Sequence, residues 1–267
     1  MIIDAHAHVN PDPLGCGDDH DATVAFLLKN LDAARIDKAV LLPVAADVPY
    51  VKRTDNRFIA ECCRDYPDRF IGFASVNPFE HSDAAAHFEE EVGKYGLKGL
   101  KLVPRFQGFS AADPRIAPLV EKAAELGLPV AIDCMLWKST PLKDQLPFNI
   151  DVLCKRVPEA KVIMCHAGGF RFLDALAVAV ANDNVYLDTS VSLRFFDGTP
   201  FEDQFIFVLK QIGAHRVIYG SDHPQTPAKT CFEESKAILA KHEFSEEDTR
   251  KIFGETLLSI LPGGGTG

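Results

Sequence analysis

The sequence lacks any segment long and apolar enough to cross a membrane. No apolar run approaches the roughly 18 residues that a membrane span requires, and no basic region followed by an apolar core precedes the first predicted strand. These two absences predict a cytoplasmic protein with no membrane partner.

Three motifs are also missing, and each absence excludes a class of site. The seven cysteines, at positions 16, 62, 63, 134, 154, 165 and 231, include no zinc-type Cys-x-x-Cys pair, so we expect reduced, mostly buried thiols. No Gly-x-Gly-x-x-Gly follows a predicted strand, which argues against a dinucleotide site. No basic stripe offsets the net charge of −10, which argues against nucleic-acid binding.

What the sequence does contain is a regular alternation of strands and helices. Short apolar runs predict strands at 2–5, 39–43, 70–75, 97–103, 129–133, 161–165, 184–188 and 216–220. Helical apolar spacing fills the intervals, and Ser245 with Asp248 forms a capping pattern before the last helix. Eight such units predict an α/β fold, a single-domain (β/α)8 TIM barrel over residues 1–261, with an open doubly wound sheet as the alternative. The glycine-rich tail 262–267 is predicted to be disordered.

The first predicted strand ends in two histidines, His6 and His8. Side chains two residues apart on a strand project to the same face, which is the geometry that a metal ion needs from its first two ligands. The last predicted strand ends in Asp222, a third candidate ligand.

Polar side chains stand at most of the other strand ends as well. In chain order, the residues at all the strand ends are His6 and His8, Pro43, Asn77, Lys101, Asp133, His166, Asp188 with Ser190, and Asp222. The carboxyl ends of barrel strands meet at one mouth, where chemistry collects. A divalent cation would compensate such a cluster of ionisable groups.

These motifs resemble one known family over nearly the whole chain. The matching segments are IDAHAH (3–8), GLKGLKLVP (96–104), VIMCHAGG (162–169), NVYLDTS (184–190), IYGSDHP (218–224) and the closing FGE (253–255). Together they resemble the amidohydrolase-related branch of the amidohydrolase superfamily, which includes aminocarboxymuconate-semialdehyde decarboxylase. The resemblance implies a metal-dependent (β/α)8 enzyme with His6, His8 and Asp222 as ligands.

One position departs from the family pattern. The fifth strand usually ends in a metal-binding histidine, whereas this sequence has Asp133. Asp133 shares strand parity with an inward-facing Ala131, so it should point into the mouth. Three interpretations stay open: Asp133 is a ligand, directly or through water; His166 completes the coordination; or the site is metal-free, as in some lactone-cleaving relatives.

Further residues are candidates for substrate binding. Lys101 corresponds to a lysine that is carbamylated in other superfamily branches and more often stays an amine in this one; it could also pair with Asp133. Arg105, Trp137 and Arg194 lie on predicted loops over the mouth, where arginine suits a carboxylate and an aromatic ring suits a planar substrate.

The sequence therefore predicts a metal-dependent hydrolase acting on a small, carboxylated molecule. Zinc is the expected metal, with manganese as the alternative. Asp222 would transfer the proton of a metal-bound water, and His166 would polarise the carbonyl. The alternatives are a non-oxidative decarboxylase on the same scaffold, a metal-free lactonase, and a catalytically silent barrel. The resemblance is also compatible with a homo-oligomer.

Overall fold

The computed structural model describes residues 1–13, 21–47, 51–136, 138 and 140–263. Its parallel strands are β1 (Ile3–Ala7), β2 (Lys38–Leu41), β3 (Phe70–Gly72), β4 (Ala74–Ser75), β5 (Leu100–Leu102), β6 (Val130–Ile132), β7 (Val162–Met164), β8 (Val185–Asp188) and β9 (Val217–Ile218). Each lies within or overlaps one of the predicted strands.

The strands close into a barrel. Three of them pair in the order β1-β2-β3 and six in the order β4-β5-β6-β7-β8-β9. β3 and β4 are separated only by Phe73 and together occupy one strand position of the barrel. The backbone N–H of Phe73 donates to Leu41 O, which continues the hydrogen bonding to β2. At the other seam a parallel bridge joins Ala7 to His223, and Ala5 N donates to Tyr219 O at 3.0 Å. The predicted (β/α)8 barrel is confirmed.

Helices surround the strands. They are α1 (Val24–Ala34), α2 (Asn56–Asp65), α3 (Ala84–Tyr95), α4 (Pro104–Gln107), α5 (Ala117–Glu125), α6 (Pro147–Arg156), α7 (Phe172–Ala181), α8 (Ser192–Phe196), α9 (Glu202–Ile212), α10 (Ala228–Lys241), α11 (Glu246–Arg250) and α12 (Thr256–Ile260). Ser245 caps α11 by accepting a hydrogen bond from Asp248 N, which confirms the predicted cap. Within the described ranges no helix combines the length and apolar character needed to span a bilayer.

The core has two parts, and strand parity assigns side chains to them. Val130 and Ile132 pack in the outer cluster, between the strands and the helices. Ala131 belongs to the inner cluster, where Leu257 and Ile260 of α12 also pack. This alternation is the one that the sequence predicts, and it directs Asp133 toward the mouth.

The predictions for Cys16 and for the C-terminal tail fall wholly or partly on residues that are not described. Cys16 lies outside the described residues, and the other cysteines are free thiols, all buried except the half-buried Cys63. Of the predicted disordered tail, Pro262 and Gly263 form a turn, whereas residues 264–267 lie outside the described part.

Candidate active site

The histidine pair and Asp222 converge at the mouth of the barrel. His6 Nε2 and His8 Nε2 each lie 3.3 Å from Asp222 Oδ1. In a tetrahedral site with bonds of about 2.0–2.1 Å, neighbouring donor atoms are roughly 3.3 Å apart. The three donors therefore fit one divalent ion, and they form a compact group of potential ligands.

Neighbouring groups turn both imidazoles toward that position. His6 Nδ1 lies 2.6 Å from Asp188 Oδ2, and His8 Nδ1 lies 2.8 Å from Leu42 O. Both contacts favour a proton on Nδ1, which leaves the Nε2 lone pairs for a metal. Burial, together with the charge of Lys101, lowers the pKa of His6 to about 4, so its ring is neutral at pH 7.

Gly220 allows β9 to approach these groups closely. A Cβ at this position would lie 2.7 Å from His6 Cβ and 2.8 Å from Asp188 Oδ1. We expect Gly220→Ala to displace His6 from Asp188 and to weaken zinc affinity by about 10–100-fold, the usual cost of disturbing a ligand's supporting contact. Competition titration with a zinc chelator measures this.

Gly93→Ala is the matched control, because a Cβ there meets nothing within 4 Å. It lies in α3, where alanine should stabilise the helix by about 0.5–1 kcal/mol. Equal zinc affinity for Gly220→Ala and the natural protein would contradict the proposed close approach.

Asp133 forms an ion pair with Arg105. Arg105 Nε lies 2.8 Å from Asp133 Oδ1, and Nη2 donates to Oδ2 at 2.9 Å. His166 Nε2 is 3.4 Å from the same Oδ2. Burial alone would raise the pKa of Asp133, but the charges of Arg105, His166 and Lys101 hold it well below its usual range. The metal-ligand role of Asp133 stays a prediction; its direct side-chain contacts are with Arg105 and His166, whereas Lys101 acts on it only through its charge.

Asp133→Ala should therefore destabilise the fold. Removing one partner from a buried charge cluster costs about 3 kcal/mol, and urea unfolding in the presence of a chelator measures the loss without a metal contribution. Glu125→Ala is the control, since it removes an exposed pair with Lys122 and should cost less than about 1 kcal/mol. Similar losses in the two variants would argue against a structural Asp133 cluster.

Lys101 is buried between the metal position and β7. Its Nζ donates to Cys165 Sγ at 3.2 Å and lies 3.4 Å from His6 Nε2. Burial opposes its charge, but Cys165 and Asp133 raise the pKa of Lys101 above its ordinary value. The ammonium therefore competes with a cation for the His6 lone pair. The predicted contact with Asp133 is electrostatic, since Arg105 forms the direct pair.

His166 and Asp222 both adopt left-handed backbone conformations, with φ of 60° and 59°. Such conformations are costly for residues with a side chain and cluster at functional sites. His166 Nδ1 lies 2.9 Å from Ser190 Oγ. Burial opposes protonation, but Asp133 and Asp222 raise the pKa of His166, which favours a ring able to donate a proton.

Several of these residues line a cavity of about 340 Å³, whereas His6 and His166 lie behind its surface. Its charged and polar lining is His8, Lys101, Arg105, Asp133, Asp222 and Gln225, and its apolar lining includes Val44, Val51, Val103, Phe106, Met135 and Leu136. The structure does not bring Arg194 into this cavity: Arg194 donates to Thr226 Oγ1 at 2.7 Å and pairs with Glu234 of α10. Trp137 lies outside the described residues.

Asp188 lies at the mouth, as predicted from its position at a strand end, but the sequence did not indicate a catalytic or ligand-positioning role for it. Its function as the partner of His6 depends on a contact between residues 182 positions apart, which strand position alone does not reveal. The contact of Cys165 with Lys101 was not predicted either, because nothing in the sequence except its position next to His166 marks Cys165 as part of the site.

Comparison with known proteins agrees with the geometry. The amidohydrolase family model matches residues 3–256. No curated protein matches the sequence. Among solved structures, an uncharacterised TIM-barrel protein from Bordetella bronchiseptica aligns with a TM-score of 0.80 and 19% identity, covering 99% of both chains.

Two further structures are similar to this chain. A probable 2-pyrone-4,6-dicarboxylic acid hydrolase from Acinetobacter baumannii has a TM-score of 0.67 and 18% identity over 99% of both chains. The 5-carboxyvanillate decarboxylase of Sphingomonas paucimobilis has a TM-score of 0.70 and 15% identity over 97% of this chain and 98% of its own. At these identities the structures show a shared fold, while the match of the family model over nearly the whole sequence shows that the chain belongs to the amidohydrolase family.

Proposed function

We propose that the protein is a metal-dependent hydrolase acting on a small, carboxylated substrate. The observation that carries this proposal is the set of three donors, His6 Nε2, His8 Nε2 and Asp222 Oδ1, of which the last two belong to residues that line a 340 Å³ cavity. A divalent ion held there, zinc by preference and manganese as the alternative, would lower the pKa of a bound water toward neutrality.

In this proposal two residues of the chain would transfer protons. The pKa of Asp222 lies well below its usual range, because contacts with His8, His6 and His166 outweigh its burial, so its carboxylate is ionised and can accept a proton. His166, whose pKa is raised, can donate a hydrogen bond to a developing oxyanion. Asp222 therefore favours its unprotonated form and His166 its protonated form, which are the states that a base and an acid need before the reaction.

A carboxylated substrate is supported by the cations in the cavity. Lys101 and Arg105 both line it, and a substrate carboxylate between Lys101 and a bound metal would relieve their mutual repulsion. Arg105 already contacts Asp133, so a second anion would share its guanidinium.

Non-oxidative decarboxylation is the alternative, favoured by the apolar side of the cavity. Val103, Phe106 and Met135 could hold the ring of an aromatic acid. Both reaction types occur among the similar structures, a hydrolase and decarboxylases by their names.

A substrate panel separates the possibilities. Zinc-loaded protein is incubated with lactones, amides and aromatic acids while acid release and carbon dioxide are followed separately. We expect hydrolysis that stops on chelation, returns with zinc and is lost in Asp222→Asn, while Glu121→Gln on the outer surface of α5 stays active. Carbon dioxide release would identify a decarboxylase. Hydrolysis that survives chelation would identify a metal-free lactonase, and no turnover of any class would favour a silent barrel.

A further inference from the structure

The outward side of α7 is apolar, although it faces solvent. Phe172, Ala175 and Val178 turn inward and are buried, yet Leu173 and Val180 on the other side are 52% and 60% exposed. The outer helices of a soluble barrel normally carry polar residues on that side. The only charged residue within α7 is Asp174, at its start.

Exposed phenylalanines extend this surface at the start of α7 and on the side of α8 and α9. Phe170 precedes α7, is 63% exposed and packs edge to face against the exposed Phe195 at 5.3 Å. Phe201 borders α9 and Phe207 lies within it, and α9 packs against α7. We call the group Phe170, Leu173, Val180, Phe195, Phe201 and Phe207 the α7 face.

The exposed area of the α7 face approaches what a stable dimer needs. About half of each side chain is accessible, which amounts to at most roughly 600 Å² when the value of about 200 Å² for a full aromatic side chain is used for all six. The largest apolar patch on a typical monomer is about 300–600 Å², so the α7 face lies at the upper end of that range. A standard interface buries about 800 Å² on each partner, and homodimer interfaces are about 65% apolar.

We propose that the α7 face binds the same face of a second copy of this chain, with the two α7 helices antiparallel about a two-fold axis. The stripe Leu173, Leu176, Ala177 and Val180 has the spacing of a helix–helix seam. With the axis between Leu176 and Ala177, Leu173 of each copy faces Val180 of the other.

The charges at the two ends of α7 are complementary in this arrangement. Arg171 precedes the helix, is 44% exposed and pairs with Asp174 of its own chain, and the exposed Asp183 follows the end of the helix. The two-fold axis places each Arg171 close to the other copy's Asp183. It also makes the two α7 helices antiparallel, so that the positive end of each helix dipole lies near the negative end of the other, which is favourable. An anionic membrane is a poorer partner, because the chain has a net charge of −10.

Dimerisation through this face would restrict the motion of segments that are connected to His166. Phe170 directly follows the loop of His166, and α8, which carries Phe195, begins two residues after Ser190, the contact of the His166 ring. Binding of a second copy would therefore restrict the segments that position His166. The oligomeric state itself does not depend on the proposed reaction.

Sedimentation velocity of the full chain tests the proposal with a charge-pair design. We expect the natural protein to sediment at twice the chain mass of 29.3 kDa. Leu173→Glu and Val180→Lys should each raise the dimer dissociation constant at least about thirtyfold, as loss of a central interface residue does. The double variant should dimerise again, because the carboxylate introduced on each copy then faces the ammonium introduced on the other across the axis.

Two controls make the outcome unambiguous. Leu126→Glu, an exposed apolar residue at the end of α5, should leave the dimer intact, and circular dichroism melting verifies that every variant is folded. A natural protein that stays monomeric at all concentrations, with or without lipid vesicles, would overturn the proposal. A folded Leu173→Glu variant that remains dimeric, or a folded double variant that does not recover, would also overturn it.

Discussion

The His6→Ala/His8→Ala double variant is expected to bind no divalent metal and to have no activity, while its fold persists. Two of the three converging donors are lost, and a single carboxylate does not hold zinc at neutral pH. The barrel seam is retained, because Ala5 and His8 make their contacts with β9 and with His223 through backbone atoms. Elemental analysis after zinc loading and gel filtration measures the effect, from about one ion per chain to none.

A second histidine pair provides the control. His81 and His87 stack on each other with ring centroids 3.9 Å apart, and neither belongs to the metal-binding group. His81→Ala/His87→Ala should therefore keep the full metal content. If the His6/His8 variant kept a stoichiometric ion, or if the natural protein bound no added zinc, the metal-enzyme proposal would be wrong.

The position of the site could be predicted from the sequence because strand parity is a local rule. His6 and His8 must share a face when β1 is a strand, and Asp133 must follow the inward side of β6 once Ala131 is inside. Parallel strands closed into a barrel then bring their carboxyl ends to one mouth. The barrel fold and the meeting of these side chains at one mouth thus follow from the period-two alternation of side chains along each strand and from the order of the strands.

The pairing inside the mouth could not be predicted in the same way. Arg105 lines the cavity as expected for a substrate-binding residue, but its pairing with Asp133 was not predicted. Arg194 was expected above the mouth, and it contacts Thr226 and Glu234 instead. A long, flexible arginine side chain can pair with any of several carboxylates within its reach. Which pair forms depends on differences of a few ångströms in the distances between separate loops. Strand parity carries no information on those distances.

Lys101 illustrates the electrostatic balance that results. Its buried ammonium lies beside the ligand atom His6 Nε2, while Asp133 and Asp188 supply negative charge nearby. A bound divalent ion would add two positive charges to this cluster, so an anionic substrate or hydroxide is the natural complement. In the proposed reaction, negative charge would therefore develop between Lys101, His166 and the metal position.

His166→Asn is expected to lower kcat by about a hundredfold to a thousandfold, the usual cost of removing one group that stabilises charge in the transition state. KM should change little, because such a group contributes little to binding the ground state. Steady-state kinetics with the substrate that the panel identifies measures both. The physical basis is the raised pKa of His166, which favours a donor on a ring whose Nε2 lies 3.4 Å from Asp133 Oδ2, an atom of a cavity-lining residue.

A structural role for His166 predicts a different result, and Ser192→Ala provides the comparison. Ser192 Oγ donates to the backbone carbonyl of His166 at 2.6 Å, so its removal loosens the same loop without touching the imidazole. We expect Ser192→Ala to lower the melting temperature with near-normal kcat, and His166→Asn to lower kcat well beyond any effect of its melting temperature. If His166→Asn instead behaved like Ser192→Ala, with a lowered melting temperature and unchanged kcat in the folded protein, His166 would be a packing residue of the left-handed turn.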